Sequence, residues 1–392
     1  MKELKAAPNL LYYLVHSPEE FQAGESSNNT LGQFFEKVGQ MMTDHSSEET
    51  SMLNFLGLQR VNDKVSADCV EAILGACIQS IGVERSFKVL QEFKILPGLP
   101  NGCITRMLEN KLSSPRIRTN IRDNDVDSFL PNHKDLEEII QYKFNDRAYL
   151  LQALTHPSYP TNRLTGCYQQ LEFYGDSVLN FLVTSYIYER CPSMTPGQLT
   201  DLRSALVNNV TLACLCVRYN LHPYILSQNA ALSEAIGHFV DFQQKNHHEV
   251  TDQVELLPSE VERNSKNSLI ADYIEVPKVL GDIFEALIGG IFLDSGNDLE
   301  KTWKVIYSLM NKELEKFMTE VPIQMVRRLY EWGNGAANPI FDDPVVDGDD
   351  VMMSVKFNCK GQILQANGFG KNKEAAKRAA AKAALVSLTL SK

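Results

Sequence analysis

No apolar run in this 392-residue chain approaches the roughly 20 residues needed to cross a bilayer, so no membrane-spanning helix is expected. The opening residues, MKELKAAPNL, lack an apolar stretch followed by a small-residue cleavage site, and no export signal is expected there. Ordered cysteine spacings are missing too. The eight cysteines are scattered, without CxxC pairs and without histidines at zinc spacing, which argues against a disulfide framework or a zinc site. Reduced thiols in an intracellular setting, cytoplasmic or nuclear, are the expectation. Positive charge is in deficit: the formal net charge is −11. That excess of acid argues against a protein that coats nucleic acid nonspecifically, while leaving room for a local basic module.

Such a module closes the chain. From Lys371 onward, KNKEAAKRAAAKAALVSLTLSK carries five Lys and one Arg against a single Glu. The acidity is concentrated elsewhere, notably in 249–262 (EVTDQVELLPSEVE) and 342–350 (DDPVVDGDD).

Length allows two or three domains. Residues 109–131 are polar with few apolar anchors, and a linker is expected over 101–131. Residues 132–320 show helical spacing in KDLEEIIQYKF, RAYLLQALTH, QQLEFYGDSVLNFLVTSYIYERC and GQLTDLRSALVNNVTLACLCVRYNL. A polar stretch over about 243–272 is expected to be a loop inserted in that helical block. After Val321 the pattern changes to a helix, alternating stretches suited to a small antiparallel sheet, and a final Lys/Ala helix. That order predicts a small α+β domain over 321–392.

Residues 67–75 (ADCVEAILG) and 281–289 (GDIFEALIG) share a frame. An offset of 214 positions places Asp68 on Asp282, Glu71 on Glu285, Gly75 on Gly289 and Lys64 on Lys278. The chain therefore contains a long-period repeat that carries two carboxylates. Between the copies, Glu172 and Asp176 lie four apart, on one helix face that continues through Leu179 and Val183. Acids on an apolar stripe face the interior or a cleft, where desolvation and like-charge repulsion are costly. A cation removes both costs. Asp282 and Glu285 repeat the pattern, and four hard oxygen donors from two helices suit Mg²⁺ or Mn²⁺. Such metals activate water and stabilise charge developing on a phosphodiester. For either pair alone, solvated acids are the competing reading.

YQQLEFYGDSVL (168–179) resembles the ribonuclease III signature, and VPKVLGDIFEALIGGIFLDSG (276–296) resembles the second acidic motif of that family. LLQALTHPSY and LTDLRSALVNN resemble family segments in matching order. The tandem arrangement over roughly residues 60–392 resembles the C-terminal end of Dicer-type ribonuclease III proteins. This resemblance implies a mainly α fold: all-helical ribonuclease III domains, then a small α+β (α-β-β-β-α) double-stranded-RNA-binding domain. Residues 1–100 become the C-terminal part of a first ribonuclease III domain, and 132–320 a complete second one. Catalytic metal ligation is implied for Glu172, Asp176, Asp282 and Glu285, and a place near the scissile phosphate for Lys278; a solvated lysine at a helix start is the alternative. Asp68 and Glu71 become half of a first metal site. The counterparts of Glu172 and Asp176 fall before Met1, so the chain is expected to be a fragment of a larger protein, or its first copy a relic.

Some positions depart from the family pattern. Gln169 and Gln170 replace a common Glu and Arg, and Asn180 stands where an Asp often follows; these positions are expected to tune the site without ligating. His156 is expected to pack or cap rather than act as a general base. The resemblance also implies phosphate contacts for Lys371, Lys373, Lys377 and Arg203. Glu374 and the acidic 342–350 loop weaken that match, and weak affinity is expected from this domain alone. The implied activity is Mg²⁺-dependent endonucleolytic hydrolysis of double-stranded RNA into small silencing RNAs with 5′-phosphate ends and two-nucleotide 3′ overhangs. The implied partners are duplex RNA, a second ribonuclease III domain in a pseudo-dimer or homodimer, and a further RNA-binding protein. A noncatalytic RNA-binding scaffold is the alternative, against which the intact set of four acids argues. A dimetal phosphohydrolase of small molecules is a third reading, and it leaves the basic helix without a role.

Overall fold

The computed structural model describes residues 63–82, 85–86, 89–90, 114–250, 254–257, 270–348 and 350–390. The chain divides into two units, residues 1–110 and 111–392. In the first, the repeat motif lies on one helix, α1 (Asp63–Ile81), as its spacing predicts.

The second unit begins with helices α2 (Asp123–Asp127), α3 (His133–Ile140), α4 (Arg147–Leu154), α5 (Gln169–Arg190), α6 (Pro196–Val207), α7 (Asn209–Arg218) and α8 (Ala230–Lys245). Short polar side chains set several starts: Asp146 accepts from the Ala148 N–H, Asn208 from Thr211, and Thr195 forms a capping box with Gln198 ahead of Pro196. At the centre runs α9 (Lys278–Asp294). Its residues from Val279 to Phe292 are all buried except Glu285. A helix apolar on every side belongs in a core, and α4, α5, α7 and α10 (Leu299–Thr319) pack around this one.

The α5–α9 contact is the most extensive between any two described elements. Glycine sets its closeness. A Cβ at Gly175 would meet the Glu285 carbonyl and the Gly289 N–H, and one at Gly289 would meet the Leu171 carbonyl. The two backbones touch where each lacks a side chain.

Of the expected linker, residues 101–113 lie outside the described residues. Residues 114–131 fold onto the helical domain: Val126 and Leu130 are buried, and Arg116 bridges Asp123 and Asp146. Arg147 also pairs with Asp127, and Ile121 and Phe129 pack on the core, anchors too irregularly spaced to register as a periodic pattern.

The C-terminal part contains α11 (Met325–Glu331), β3 (Ile340–Phe341), β4 (Val345–Asp347), β5 (Asp350–Cys359), β6 (Gln362–Gly370) and α12 (Lys373–Leu390). β3 and β4 both pair with β5 on the same edge and act as one strand interrupted at residues 342–344, which preserves the expected α-β-β-β-α order. Lys360 and Gly361, both at positive φ, form the two-residue turn between β5 and β6. Ala376, Ala379, Ala380, Ala383 and Ala384 are fully buried, and Gly368 and Gly370 leave no room for a Cβ beneath α12. The alanine-rich face is therefore what lets helix and sheet approach so closely.

The loop expected over 243–272 is a correction. α8 extends to Lys245, and two strands follow, β1 (Val254–Leu257) and β2 (Ile270–Tyr273), paired antiparallel. β2 also pairs in parallel with β6, matching Ala271 to Gly368. The strand partner lies almost a hundred residues away, so the polar composition of the stretch gave no local sign of it.

Candidate active site

The α5–α9 crossing gathers the acids. Glu172 lies three residues before Gly175, Glu285 supplies the carbonyl against which Gly175 packs, and Asp282 lies one turn earlier on α9. Carboxylate oxygens of Glu172, Asp282 and Glu285 all fall within 4.8 Å of one another. Asp282 is buried; Glu172 and Glu285 are half-buried at the rim of the core.

Lys278 stands over this cluster. Its ammonium donates to Asp282 Oδ1 at 2.5 Å and to Glu172 Oε1 at 3.0 Å, while its side chain stays 72% exposed. Partial burial works against its charge, but the two carboxylates outweigh that and hold its pKa above the usual lysine range. Lys278 opens α9 and is largely solvent-exposed, as one expectation had it, and it also contacts two of the acids. The same spacing recurs on α1, where Lys64 bridges to Asp68 at 2.8 Å.

One lysine does not balance three acids. Burial, then repulsion from Asp176, Asp282 and Glu172, pushes the Glu285 carboxyl up to about 8. Burial likewise raises Asp282, and Glu172 adds to the rise, against the opposing pull of Lys278. This is an acid-rich centre in want of positive charge.

Asp176 departs from the expected set of four. It is exposed, and the Asn180 amide donates to its Oδ1 at 2.7 Å. The residues of α5 that face the core are Leu171, Gly175, Val178, Leu179, Val183 and Ile187, so Glu172 and Asp176 flank that stripe instead of lying on it. Asp176 is near enough to raise Glu285 without joining the cluster. Asn180 holds this carboxylate beside the cluster. Gln169 and Gln170 are exposed at the start of α5.

Tyr168 is a site residue that the motif alone did not reveal. Buried at 6% exposure, it donates its hydroxyl to Asp282 Oδ2 at 3.2 Å. The available signal was its position four residues ahead of Glu172, on the same helical face. His156 packs beside it, ring centroids 5.9 Å apart, with Nδ1 accepting from the Ser158 N–H. Burial lowers the pKa of His156 despite nearby Asp282. It is a packed histidine, as expected.

The remaining predicted residues are not among the three clustered acids. Asp68 and Glu71 are exposed on α1. Arg203 is half-buried on α6, and Lys373 is exposed at the start of α12. Lys371 pairs with Asp350 at 2.9 Å, and the Lys377 ammonium sits 5.1 Å from the centroid of the Phe341 ring. Part of the basic charge is therefore already engaged within the domain.

Comparison with known proteins places this geometry. Residues 169–296 match the family described as the ribonuclease III domain, and residues 302–392 that described as the Dicer dsRNA-binding domain. Endoribonuclease Dcr-1 of Drosophila melanogaster is 37% identical over 361 residues, covering 85% of this chain and 15% of the relative. Endoribonuclease Dicer of Danio rerio is 39% identical over 340 residues, covering 84% and 18%. Endoribonuclease dcr-1 of Caenorhabditis elegans is 35% identical over 341 residues, covering 85% and 17%. The chain spans less than a fifth of the length of these curated relatives. With its acidic cluster at the core of the first match and its alanine-packed sheet in the second, the chain carries a ribonuclease III domain followed by a Dicer-type double-stranded-RNA-binding domain.

Proposed function

We propose that this chain is a divalent-metal-dependent endoribonuclease acting on double-stranded RNA. The observation that carries the reading is the convergence of Glu172, Asp282 and Glu285 within 4.8 Å at the α5–α9 crossing of a ribonuclease III domain. Carboxylate oxygens alone suit Mg²⁺ or Mn²⁺, and the upward shift of Glu285 marks a negative charge that Lys278 does not cancel. Such a cation supplies an activated water and offsets charge developing on the phosphodiester. Glu172, Asp282 and Glu285 would hold it, with Asp176 recruited from its bond to Asn180. Lys278, now on the carboxylates of Glu172 and Asp282, would be free to offer its ammonium to a phosphate oxygen. Hydrolysis leaves 5′-phosphate and 3′-hydroxyl ends.

Tyr168 keeps Asp282 oriented. Tyr168→Phe is expected to retain the ring packing, lower Mn²⁺ affinity about tenfold by calorimetry, and leave the melting temperature nearly unchanged. Equal affinity in the two proteins would remove this role.

A fold that meets A-form RNA through phosphates and 2′-hydroxyls does not depend on sequence, and its binding falls with salt. The outward surface of α5, with Phe173 78% and Tyr188 57% exposed, suits a second ribonuclease III domain as partner. Two such domains, each cutting one strand, produce staggered ends. The test is cleavage of duplex RNA labelled on one strand at a time, with Mg²⁺ and with Ca²⁺. Nicking of one strand per duplex under Mg²⁺ supports a single competent site, and staggered cutting of both supports a paired one. Duplex that is bound but never cut under Mg²⁺ or Mn²⁺ defeats the enzymatic reading and leaves the scaffold.

A further inference from the structure

The strands inserted in the ribonuclease domain belong, by their packing, to the RNA-binding domain. β2 pairs with β6 along Ile270↔Asn367, Ala271↔Gly368 and Asp272↔Phe369, extending the sheet in the order β1-β2-β6-β5-β3. Ala271 is fully buried in the same apolar cluster as Leu329, Val355, Phe357 and the α12 alanines, and Tyr273 packs against that cluster. One residue later the affiliation changes: Ile274 and Val276 pack on the core of the ribonuclease domain. The other root of the insert is also anchored. Arg218 donates to the His248 carbonyl at 2.8 and 3.0 Å while paired with the buried Glu313 of α10.

The covalent link between the domains is only residues 320–324, between α10 and α11. Domains joined by a short segment alone are expected to move relative to one another. Among the described residues there are further attachments: the β2–β6 pairing, and an ion pair at 2.9 Å between Arg327 of α11 and Asp201 of α6.

We propose that the insert is a strap that holds the RNA-binding domain in one docked arrangement on the ribonuclease domain, through the β2–β6 pairing and the burial of Ala271, and so sets where along a duplex the cut falls. The strand portion of the strap lies in one core and both of its flanks are anchored on the other, so the backbone between Tyr273 and Ile274 transmits any displacement of one domain to the other. Removing the pairing frees α12 to take other positions relative to the acidic cluster. The positional consequence rests on the nuclease reading above; the docking itself does not.

The test is amide hydrogen exchange and small-angle scattering on the full chain, without RNA or metal, so its result stands whether or not the chain cuts RNA. In the unaltered protein, edge amides of β6 over residues 367–369 are expected to be protected. Ala271→Pro, which removes a strand N–H and adds bulk, is expected to speed their exchange at least about tenfold and expand the scattering profile, while β5 amides at Val355 and Phe357 stay protected. If Ala271→Pro unfolds the whole domain, Tyr273→Ala, which removes the other β2 side chain packed on this cluster, is expected to speed the same amides and expand the profile. Edge amides that already exchange rapidly in the unaltered protein overturn the proposal, as does a profile unchanged by Ala271→Pro or, where that variant unfolds, by Tyr273→Ala. Cleavage of a labelled duplex by Ala271→Pro is then expected to spread over neighbouring positions with total turnover retained.

Discussion

Glu285→Gln is expected to reduce duplex-RNA cleavage by on the order of 10²–10³-fold and, in the same protein freed of metal, to increase stability above neutral pH. The two effects have one origin. Burial and three neighbouring acids raise the Glu285 carboxyl from an ordinary 4.5 to about 8. The folded state therefore binds this proton more tightly than the unfolded state does, and metal-free stability falls as pH rises from about 4.5 to 8. Below that window the penalty is absent; above it, it is complete. Gln keeps the shape of the side chain and removes its ionisation, so this contribution to the slope disappears. Because the side chain is only partly buried and solvent screens it, the gain at pH 8.5 is expected to be on the order of 1 kcal/mol. Chemical denaturation in chelator at pH 5 and pH 8.5 measures it, and saturating Mg²⁺ should flatten the slope in the unaltered protein. Parallel pH profiles for the two proteins would mean that Glu285 is not a strained member of the cluster.

Gly175→Ala is the second large expectation. The added methyl meets backbone atoms of Glu285 and Gly289, which have no rotamer by which to retreat. α5 must move off α9, at a cost of about 3 kcal/mol. The same movement separates Glu172 from Asp282 and Glu285, so metal affinity should fall even in the fraction that folds. Gly237→Ala is the matched control: it lies exposed within α8, and no described atom comes within 4 Å of the added Cβ. There Ala is expected to stabilise by up to about 1 kcal/mol, through helix propensity alone. Similar melting temperatures for Gly175→Ala and the unaltered protein would contradict the close-crossing account.

The acids, the repeat and the order of helices were legible in the sequence because each depends on local spacing. LEFYGD and GDIFEALIG carry their side-chain chemistry at helical intervals, and the helices form where that spacing indicates. Asp176 was not legible as an outlier. Its placement depends on which residues of α5 face α9, and Gly175 decides that only once the second helix is present. Tyr168 was hidden for the same reason, since its partner Asp282 is 114 residues away. The insert was misread because β2 needs little from its own sequence: one small buried residue, Ala271, and a free strand edge supplied by another domain. The acidic loop that argued against RNA contact turns out to engage basic residues locally, with Asp342 on Lys356 and Asp350 on Lys371.

The central claim, that α5 and α9 together build a divalent-metal centre, is tested most directly by anomalous diffraction from crystals soaked in Mn²⁺. A peak coordinated by Glu172, Asp282 and Glu285, with Lys278 withdrawn from their carboxylates, is the predicted result. Metal bound elsewhere, or no metal at this crossing in crystals of a protein that cuts duplex RNA, would contradict it.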